Sequence, residues 1–259
     1  MARIFIVNHP HREPGYGHAK VGSTLTVSFN VSQKHRRKFI RRSGQYLLNN
    51  QVIKDELYFW GEYEPESECI YMGKTKPKAI HYNLYPVRGS KPLPLNALNT
   101  DPYVSGNHFK YICCGMKKYV YDQDDVVLFG KIEKDSSGIF TLLLDTVFVV
   151  KEKVQINFTL NTTQYYKASI ESLKGKKQIF YRGKNYNEDK QYYSFVPCRL
   201  DYSNDDLPKL DLNNLGFNVK EAGFRPVAKP ISFNKTIWNK ILEAVEKAGW
   251  MRGIHIDKI

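Results

Sequence analysis

The segment from residue 126 to residue 150 restricts the fold of this chain most, because it contains consecutive strand patterns joined by a turn. Residues 126–132 (VVLFGKI) are mostly β-branched or aromatic, and so are the segments GIFTLLL and DTVFVV that follow. Side chains of these types favour β-strands. Residues 135–138 (DSSG) are typical of a tight turn. The segment therefore predicts antiparallel strands.

Other segments add strands and a first helix. Residues 3–7 indicate an N-terminal strand, residues 23–31 alternate apolar and polar side chains, and residues 57–63 are rich in aromatic strand formers. Residues 34–48 predict a helix that is interrupted by a Ser-Gly pair.

The C-terminal region has the clearest helix pattern. Asn234 is a suitable N-cap and Gly249 a suitable end. Apolar side chains recur every four residues at Ile237, Ile241 and Val245. Together these patterns predict an α+β fold with a mostly antiparallel, partly barrel-like sheet, few helices and a C-terminal helix.

The length of 259 residues is near the upper limit for a single hydrophobic core. Residues 74–102 contain five prolines and predict an extended surface loop. This loop is the best internal boundary. The sequence therefore predicts one domain over residues 1–259, with two packed halves, 1–100 and 101–259, as the alternative.

The charge balance indicates the class of partner. The chain has a formal net charge of +13 and a pI of about 9.4, and its first fifty residues hold nine Lys and Arg against one acid. Positive charge of this size favours anionic partners. We therefore expect nucleic acid or a nucleotide as the partner, while the sequence identifies no protein partner.

Hydropathy and cysteine usage indicate the compartment. No apolar run is long enough to cross a membrane, and the N-terminal segment lacks the features of a secretory signal. The spacing of the cysteines fits neither a disulfide framework nor a zinc site. They are Cys69, Cys113, Cys114 and Cys198. We expect a cytoplasmic protein with reduced thiols and no membrane partner; the sequence assigns no metal ligands and identifies no cofactor.

A basic run is the first candidate binding site. It places six cations in nine positions, and on a helix Arg37 and Arg41 lie on one face, where they form a ladder for phosphate groups. The six are Lys34, Arg36, Arg37, Lys38, Arg41 and Arg42. The alternative is a solvated face whose charge is offset by nearby acids.

An aromatic and acidic strand follows the basic run. Strand alternation places Tyr58, Trp60, Glu62 and Glu64 on one face. A tryptophan beside carboxylates suits a nucleobase, because the indole stacks on it and a carboxylate accepts a hydrogen bond from its amine. The same carboxylates are candidates for acid-base catalysis or metal binding. The alternative is an aromatic core strand with an acidic edge.

Residues 99–115 contain turn signals that place a polar loop before a strand pattern. Such a loop presents Asn99, Asp101 and His108 to a ligand, although a single histidine is more often structural. Arg182 follows another strand pattern and is a further candidate for phosphate contact.

Asp145 interrupts the apolar segment LLLDTVFVV. A buried carboxylate needs partners that compensate its desolvation. Asp145 is therefore either a functional group or part of a tight hairpin or bulge. Familiar catalytic motifs, including phosphate-binding loops and zinc-protease signatures, are absent from the sequence.

A series of segments resembles a bacterial family described as nucleotide-modification-associated domains. The segments are RKFIRRSGQYL, FWGEYEPES, NTDPYVSGNHFKY, DDVVLFG, LLLDTVFVV and SFVPCR. The resemblance covers most of residues 34–200 and implies association with base-modification or phage-conflict systems, without implying a particular activity.

A shorter likeness concerns DDVVLFG, which is similar to a strand of PUA-like barrels of the EVE and ASCH type. That family binds a modified or flipped base in an aromatic-lined cleft, so the likeness implies base recognition. The length of the chain, its proline-rich loop and its C-terminal helix depart from a single barrel of this type.

These observations favour a protein that binds nucleic acid or a nucleotide, in which the basic run holds phosphate and the Trp60 strand holds a base. One alternative is an enzyme that acts on a nucleotide or nucleic acid. Its candidate catalytic residues are Glu62, Glu64, Asp101 and Asp145. A second alternative is a defence scaffold whose basic face binds a protein.

Overall fold

The computed structural model of the chain describes residues 1–8, 18–21, 25–28, 37–64, 67–71, 77–81, 98–99, 102–112, 120–156, 178–201, 206–222 and 225–257. The helix in these ranges is α1 (Lys235–Lys247). The strands are β1 (Arg3–Asn8), β2 (His18–Val21), β3 (Leu25–Ser28), β4 (Arg37–Leu48), β5 (Gln51–Glu64), β6 (Ser67–Tyr71), β7 (Pro77–His81), β8 (Leu98–Asn99), β9 (Lys110–Ile112), β10 (Val126–Lys134), β11 (Phe140–Ile156), β12 (Gln178–Gly183), β13 (Val196–Arg199), β14 (Lys209–Asp211), β15 (Val219–Ala222), β16 (Arg225–Ala228), β17 (Ile231–Ser232) and β18 (Met251–Ile256).

The larger sheet is mixed. Its strands run in the order β17-β1-β10-β11-β12-β9, and β14 pairs with part of β11. The pairing of β1 with β10 is parallel, whereas the other described pairings in this sheet are antiparallel. The predicted strands at residues 3–7 and 126–132 therefore lie side by side within this sheet.

The second sheet closes into a four-stranded antiparallel barrel. Its order is β13-β18-β4-β5, and the pairing of β13 with β5 closes the ring. Glycines make the close approach of these strands possible: a Cβ atom at Gly44 would lie 2.4 Å from the carbonyl oxygen of His255. At Gly253 a Cβ atom would lie 2.9 Å from Cγ2 of Val196.

The predicted helix over residues 34–48 is wrong, because residues 37–48 form β4. This strand pairs in continuous antiparallel register with β5, from Arg37 opposite Glu62 to Leu48 opposite Gln51. A two-residue turn connects them, in which Asn49 and Asn50 have φ angles of 51° and 60°. Asparagine tolerates this left-handed conformation, which suits the twist of a hairpin. Cross-strand pairing outweighs the weak local helix preference.

Two apolar clusters cover the two faces of the larger sheet. Alternate residues of β10 divide between them, with Leu128 in the first and Phe129 in the second. The first cluster includes the buried face of α1, where Ile241 and Val245 have no exposed surface. The second includes Leu57 and Phe59 of the barrel. The helix therefore packs on one face of the sheet and the interior of the barrel on the other, while residues from the outer face of the barrel join the helix in the first cluster.

The C-terminal helix is confirmed. Asn234 caps α1, since its Oδ1 accepts a hydrogen bond of 3.0 Å from the N–H of Ile237. Gly249 follows the helix with a φ of 74°, a conformation that glycine adopts without strain. The predicted fold class is likewise confirmed: the described residues are mostly β-strand, with a barrel and a helix near the C-terminus.

Asp145 lies at a β-bulge and not in a hairpin. The register of β10 and β11 shifts from Phe129 opposite Thr146 to Gly130 opposite Leu144, which leaves Asp145 as the extra residue. The strand β11 therefore continues through it. Of the two structural alternatives given for Asp145, the hairpin is wrong and the bulge is confirmed.

The predicted loop over residues 74–102 is wrong at residues 77–81, which form β7 and pair antiparallel with β6. Residues 98–99 form β8 and pair with the end of β5. The remaining residues of the predicted loop lie outside the described ranges, apart from Pro102. Both sheets draw strands from either side of residue 100, and the domain division stays a prediction.

Among the described residues, no helix has the length and apolar character needed to cross a membrane.

Candidate functional site

The structure describes the predicted site residues to different extents. Lys34, Arg36 and Asp101 lie outside the described ranges. For a second group it describes backbone positions alone: Arg37, Lys38, Glu62, Glu64 and Asn99. The strand register places Arg37 opposite Glu62 and Asn99 opposite Tyr63. The basic and acidic segments are therefore adjacent strands of one hairpin.

Because residues 37–48 form a strand, the predicted ladder of cations on a helical face is wrong. Four residues of strand separate the Cα atoms of Arg37 and Arg41 by roughly 13 Å, against about 6 Å on a helix. Arg41 and Arg42 are consecutive in β4 and point to opposite sides of it.

Tyr58 has an arginine on each of its two neighbouring strands. It lies opposite Arg41 of β4 and opposite Arg199 of β13. Residues paired in this way project from the same face. Tyr58 is half-buried between fully buried Leu57 and Phe59, so this face is the outside of the barrel. The guanidinium carbon of Arg41 lies 5.9 Å from the centre of the Tyr58 ring, within cation–π range.

Aromatic rings continue this outer face. Phe39 lies opposite Trp60, and their ring centres are 5.7 Å apart. Phe39 is also 5.9 Å from Tyr58 and 6.0 Å from the buried ring of Trp250. We call the five residues that project from neighbouring positions of β4, β5 and β13 the barrel-face row. They are Phe39, Arg41, Tyr58, Trp60 and Arg199.

Trp60 is partly packed in the core and partly accessible. It is half-buried, and together with Phe39 it packs against the first apolar cluster. One part of its surface therefore stabilises the fold, and another part is accessible. A role in stacking on a base stays a prediction.

Of the two arginines in this row, Arg41 is the more accessible. Its side chain is 58% exposed, against 18% for Arg199. The Nε atom of Arg41 lies 2.7 Å from Oε2 of Glu56, and Oε1 of the same carboxylate accepts a hydrogen bond from the Ser43 hydroxyl. Arg199 lies over the ring of Trp250 at 5.6 Å. Both guanidinium groups are thus held in fixed orientations by neighbouring side chains.

A second polar cluster brings together two predicted site residues that lie far apart in the sequence. Nη2 of Arg182 lies 2.8 Å from Nε2 of His108, and Nη1 lies 2.8 Å from Oε1 of Glu152. A guanidinium group can only donate, so Nε2 of His108 accepts and the imidazole is neutral. The proton is then on Nδ1, which faces the carbonyl oxygen of Gly183 at 3.4 Å.

The surroundings of His108 favour its neutral form. Burial lowers the pKa of His108 below its ordinary value, and the charges of Arg182 and Lys151 lower it further. Glu188, 3.6 Å from Nδ1, and the carbonyl of Gly183 oppose this effect. Glu188 in turn forms an ion pair with Lys151. In this cluster the positive charges of Arg182 and Lys151 are therefore balanced by the carboxylates of Glu152 and Glu188.

Asp145 is fully buried at its bulge in β11. Cys198, in the barrel strand β13, is also buried and is a free thiol whose pKa is raised by burial. A raised pKa keeps the thiol protonated and weakly nucleophilic. The other cysteine side chains lie outside the described part of the chain.

Sequence reasoning missed a cavity of about 370 Å³ beside the end of β12. Lys184, Asp124 and Asp189 line it together with Tyr192 and Phe233. The ammonium group of Lys184 lies 2.5 Å from Oδ1 of Asp124 and 3.1 Å from Oδ2 of Asp189. In the sequence, Asp124 belongs to the acidic run DQDD and Lys184 lies two residues after Arg182 in the segment YRGKNY, neither of which is a recognised site motif.

Within the described ranges, no three His, Cys, Asp or Glu side chains are grouped so that they could hold a metal ion.

Comparison with known proteins adds no assignment: no protein-family model, curated protein or solved structure matches the chain.

Proposed function

We propose that the chain binds nucleic acid or a nucleotide through the barrel-face row. The observation that carries this proposal is the position of Tyr58, which has Arg41 on one neighbouring strand and Arg199 on the other. Cations that hold phosphates beside aromatic rings that stack on bases are the two elements of single-strand recognition. The proposal of nucleic-acid or nucleotide binding is kept, but its cations are arginines on neighbouring strands instead of cations on one face of a helix.

The contacts of Arg41 leave donors for a phosphate. Its described ion pair with Glu56 uses Nε, whereas the bidentate phosphate contact of an arginine also uses the Nη groups. The cation–π contact with Tyr58 orients the guanidinium plane. A phosphate at this position would meet a side chain that is already ordered, so little conformational entropy is lost on binding.

The wider role is also part of the proposal. The resemblance of the motif series to nucleotide-modification-associated domains supports a cytoplasmic role beside base modification or phage defence. A catalytic role for Glu62, Glu64, Asp101 or Asp145 stays a prediction.

The test measures binding of a labelled single strand of mixed sequence, about 20 nucleotides long, which exceeds the usual site size of one binding module. Fluorescence anisotropy is recorded over a KCl series for the wild type and for the double variant Arg41→Ala, Arg199→Ala. The matched control is Lys229→Ala with Lys235→Ala, which removes the same charge from exposed residues outside the barrel.

We expect the affinity of the wild type to fall steeply with salt. The barrel variant should lower the slope of log K against log salt by roughly 1.4, since each lost phosphate contact on a single strand contributes about 0.7. The control should change it little. Salt-independent binding, equal losses in the two variants, or no binding at low salt would overturn the proposal.

A further inference from the structure

We infer that the cavity beside Lys184 binds a purine or pyrimidine whose exocyclic amino group stands next to a ring-nitrogen acceptor. This site is separate from the barrel-face row and does not rest on it. Its volume of about 370 Å³ is at the small end for ligand pockets, which are roughly 300–1,000 Å³. That size suits a single base or nucleoside.

The polar groups of the cavity are arranged as acceptor, donor, acceptor. The ammonium group of Lys184 lies between the carboxylates of Asp124 and Asp189. An ammonium group has three donors, and these two described contacts use two of them. A ligand edge with two donors around one acceptor is complementary to this arrangement. Exocyclic amines on either side of a ring nitrogen provide such an edge.

The charged groups are held in place before a ligand arrives. Burial lowers the pKa of Lys184, but hydrogen bonds to Asp124 and Asp189 outweigh this effect and leave its pKa raised. Asp189 is itself fixed, because its Oδ1 accepts hydrogen bonds from the N–H groups of Gln191 and Tyr192. A pair fixed in this way keeps its geometry on binding, which limits the entropy cost.

Asp124 is the carboxylate that a ligand can reach most readily. Its side chain is 50% exposed, against 26% for Asp189. Its φ of 71° lies in the left-handed region, which is costly for most residues other than glycine, although aspartate and asparagine tolerate it better than most. This strained turn holds the carboxylate against Lys184.

The cavity also has an aromatic wall. The Tyr192 ring lies 5.2 Å from Phe233 and 5.6 Å from Trp238 of α1. Packing on two sides fixes the plane of Tyr192, and a fixed ring costs little entropy when a base stacks on it. Carboxylates, ammonium and ring together suit a flat heterocycle with amino groups.

The test uses purines of the same shape that differ in this edge. The 2,6-diaminopurine riboside offers donor, acceptor, donor; adenosine offers donor, acceptor; inosine offers the reverse order, acceptor, donor. Calorimetric titration of the full chain should give affinities in that order. We expect inosine to bind at least about tenfold more weakly than the diaminopurine riboside, which corresponds to about one net hydrogen bond.

Two variants locate the site. Asp124→Asn keeps the size and left-handed tolerance of the residue and turns one of two acceptor oxygens into a donor, and Lys184→Met removes the donor. Lys190→Met is the control, since Lys190 is an exposed lysine of the same loop that does not line the cavity. Thermal melting confirms that each variant is folded before titration. If Lys184→Met fails to fold, Asp124→Asn decides the question.

Loss of diaminopurine binding in Asp124→Asn with retention in Lys190→Met supports the proposal. No saturable binding, equal affinity for the diaminopurine riboside and inosine, or an unchanged Asp124→Asn variant overturns it. The double variant of the barrel-face row should bind the diaminopurine riboside like the wild type. Failure of the nucleic-acid proposal is therefore distinguishable from failure of this one.

Discussion

His108 and Arg182, 74 positions apart in the sequence, meet through a contact of 2.8 Å between Nε2 and Nη2. The larger sheet produces this contact, because Arg182 of β12 pairs with Lys110 of β9, two residues after His108. The arginine holds the imidazole neutral, and Glu152 holds the arginine. The contact is therefore a property of the fold that can be tested without knowledge of a ligand.

The first prediction concerns acid stability. The pKa of His108 is lowered in the folded chain, first by burial and then by Arg182, so the unfolded chain binds a proton more readily. The contribution of His108 to stability is present above pH 6.5, the ordinary pKa of histidine, and is lost as the pH falls through the lowered pKa of the folded chain. We expect urea unfolding to show a smaller loss of stability between pH 7 and pH 5 in His108→Gln than in the wild type.

Proton NMR checks the same point directly. The ring protons of His108, assigned by their absence from His108→Gln, should titrate below pH 6.5. Titration at or above that pH would show that Glu188 outweighs burial and Arg182, contrary to the prediction.

The second prediction concerns the closure of the barrel. A Cβ atom at Gly44 would lie 2.4 Å from the backbone oxygen of His255 and 2.9 Å from Leu57. Backbone cannot give way cheaply in a four-stranded ring, so Gly44→Ala should cost about 1–3 kcal/mol or more in the free energy of unfolding. Urea denaturation measures it.

Gly249→Ala is the comparison for Gly44→Ala. Gly249 has open space around its Cβ position but a φ of 74°, so alanine there meets only backbone strain of about 1–2 kcal/mol. We expect Gly44→Ala to lose more stability. A Gly44→Ala variant as stable as the wild type would contradict the described barrel.

The third prediction concerns alkaline stability. Burial raises the pKa of Tyr193 to about 12, although Arg252 donates a hydrogen bond of 2.6 Å to its hydroxyl group. An unfolded tyrosine ionises near pH 10, so ionisation favours the unfolded chain above that pH. The contribution of Tyr193 to the free energy of unfolding, about 2–3 kcal/mol, is present below pH 10 and is lost progressively towards pH 12.

Tyr193→Phe removes this part of the alkaline loss. Its hydroxyl bond to Arg252 is lost at every pH, so the informative quantity is the change in unfolding free energy between pH 9 and pH 11. That change should be smaller in the variant than in the wild type. Buried Tyr46 and half-buried Tyr103 also have pKa values raised by loss of solvent, and they maintain part of the loss. Identical changes in the two proteins would argue against the assignment.

Local patterns predicted those parts of the fold that local interactions determine. Asn234 and the spacing of Ile241 and Val245 specify α1 within a few turns of chain. By contrast, β4 depends on pairing with β5 and β18, and Gly44 is required by contact with His255, more than 200 residues away. No window of sequence around residues 34–48 contains that information, which is why the local pattern there predicts a helix.

The candidate sites also depend partly on residue type, which the sequence shows, and partly on long-range contacts, which it does not show. Residue type alone identified His108 and Arg182 as candidates, and the sheet register determines that they meet. Lys184 was not identified, because a lysine becomes informative only when burial and two carboxylates surround it. Its partners Asp124 and Asp189 come from different loops, so the cavity has no contiguous sequence signature.

The last prediction concerns Trp60, whose half-buried ring is in contact with Phe39 at 5.7 Å and with the first apolar cluster. If the accessible part of the ring stacks on a base, Trp60→Ala should weaken single-strand binding by about 1–3 kcal/mol. Trp60→Phe keeps an aromatic face in the row and should restore most of that affinity. Because both changes also remove packing, each variant is melted first and titrated well below its midpoint. A folded Trp60→Ala that binds as tightly as the wild type would assign Trp60 to the core alone. A folded Trp60→Ala with weakened binding that Trp60→Phe recovers would assign it to both, since a purely structural ring affects melting without affecting the affinity of the folded chain.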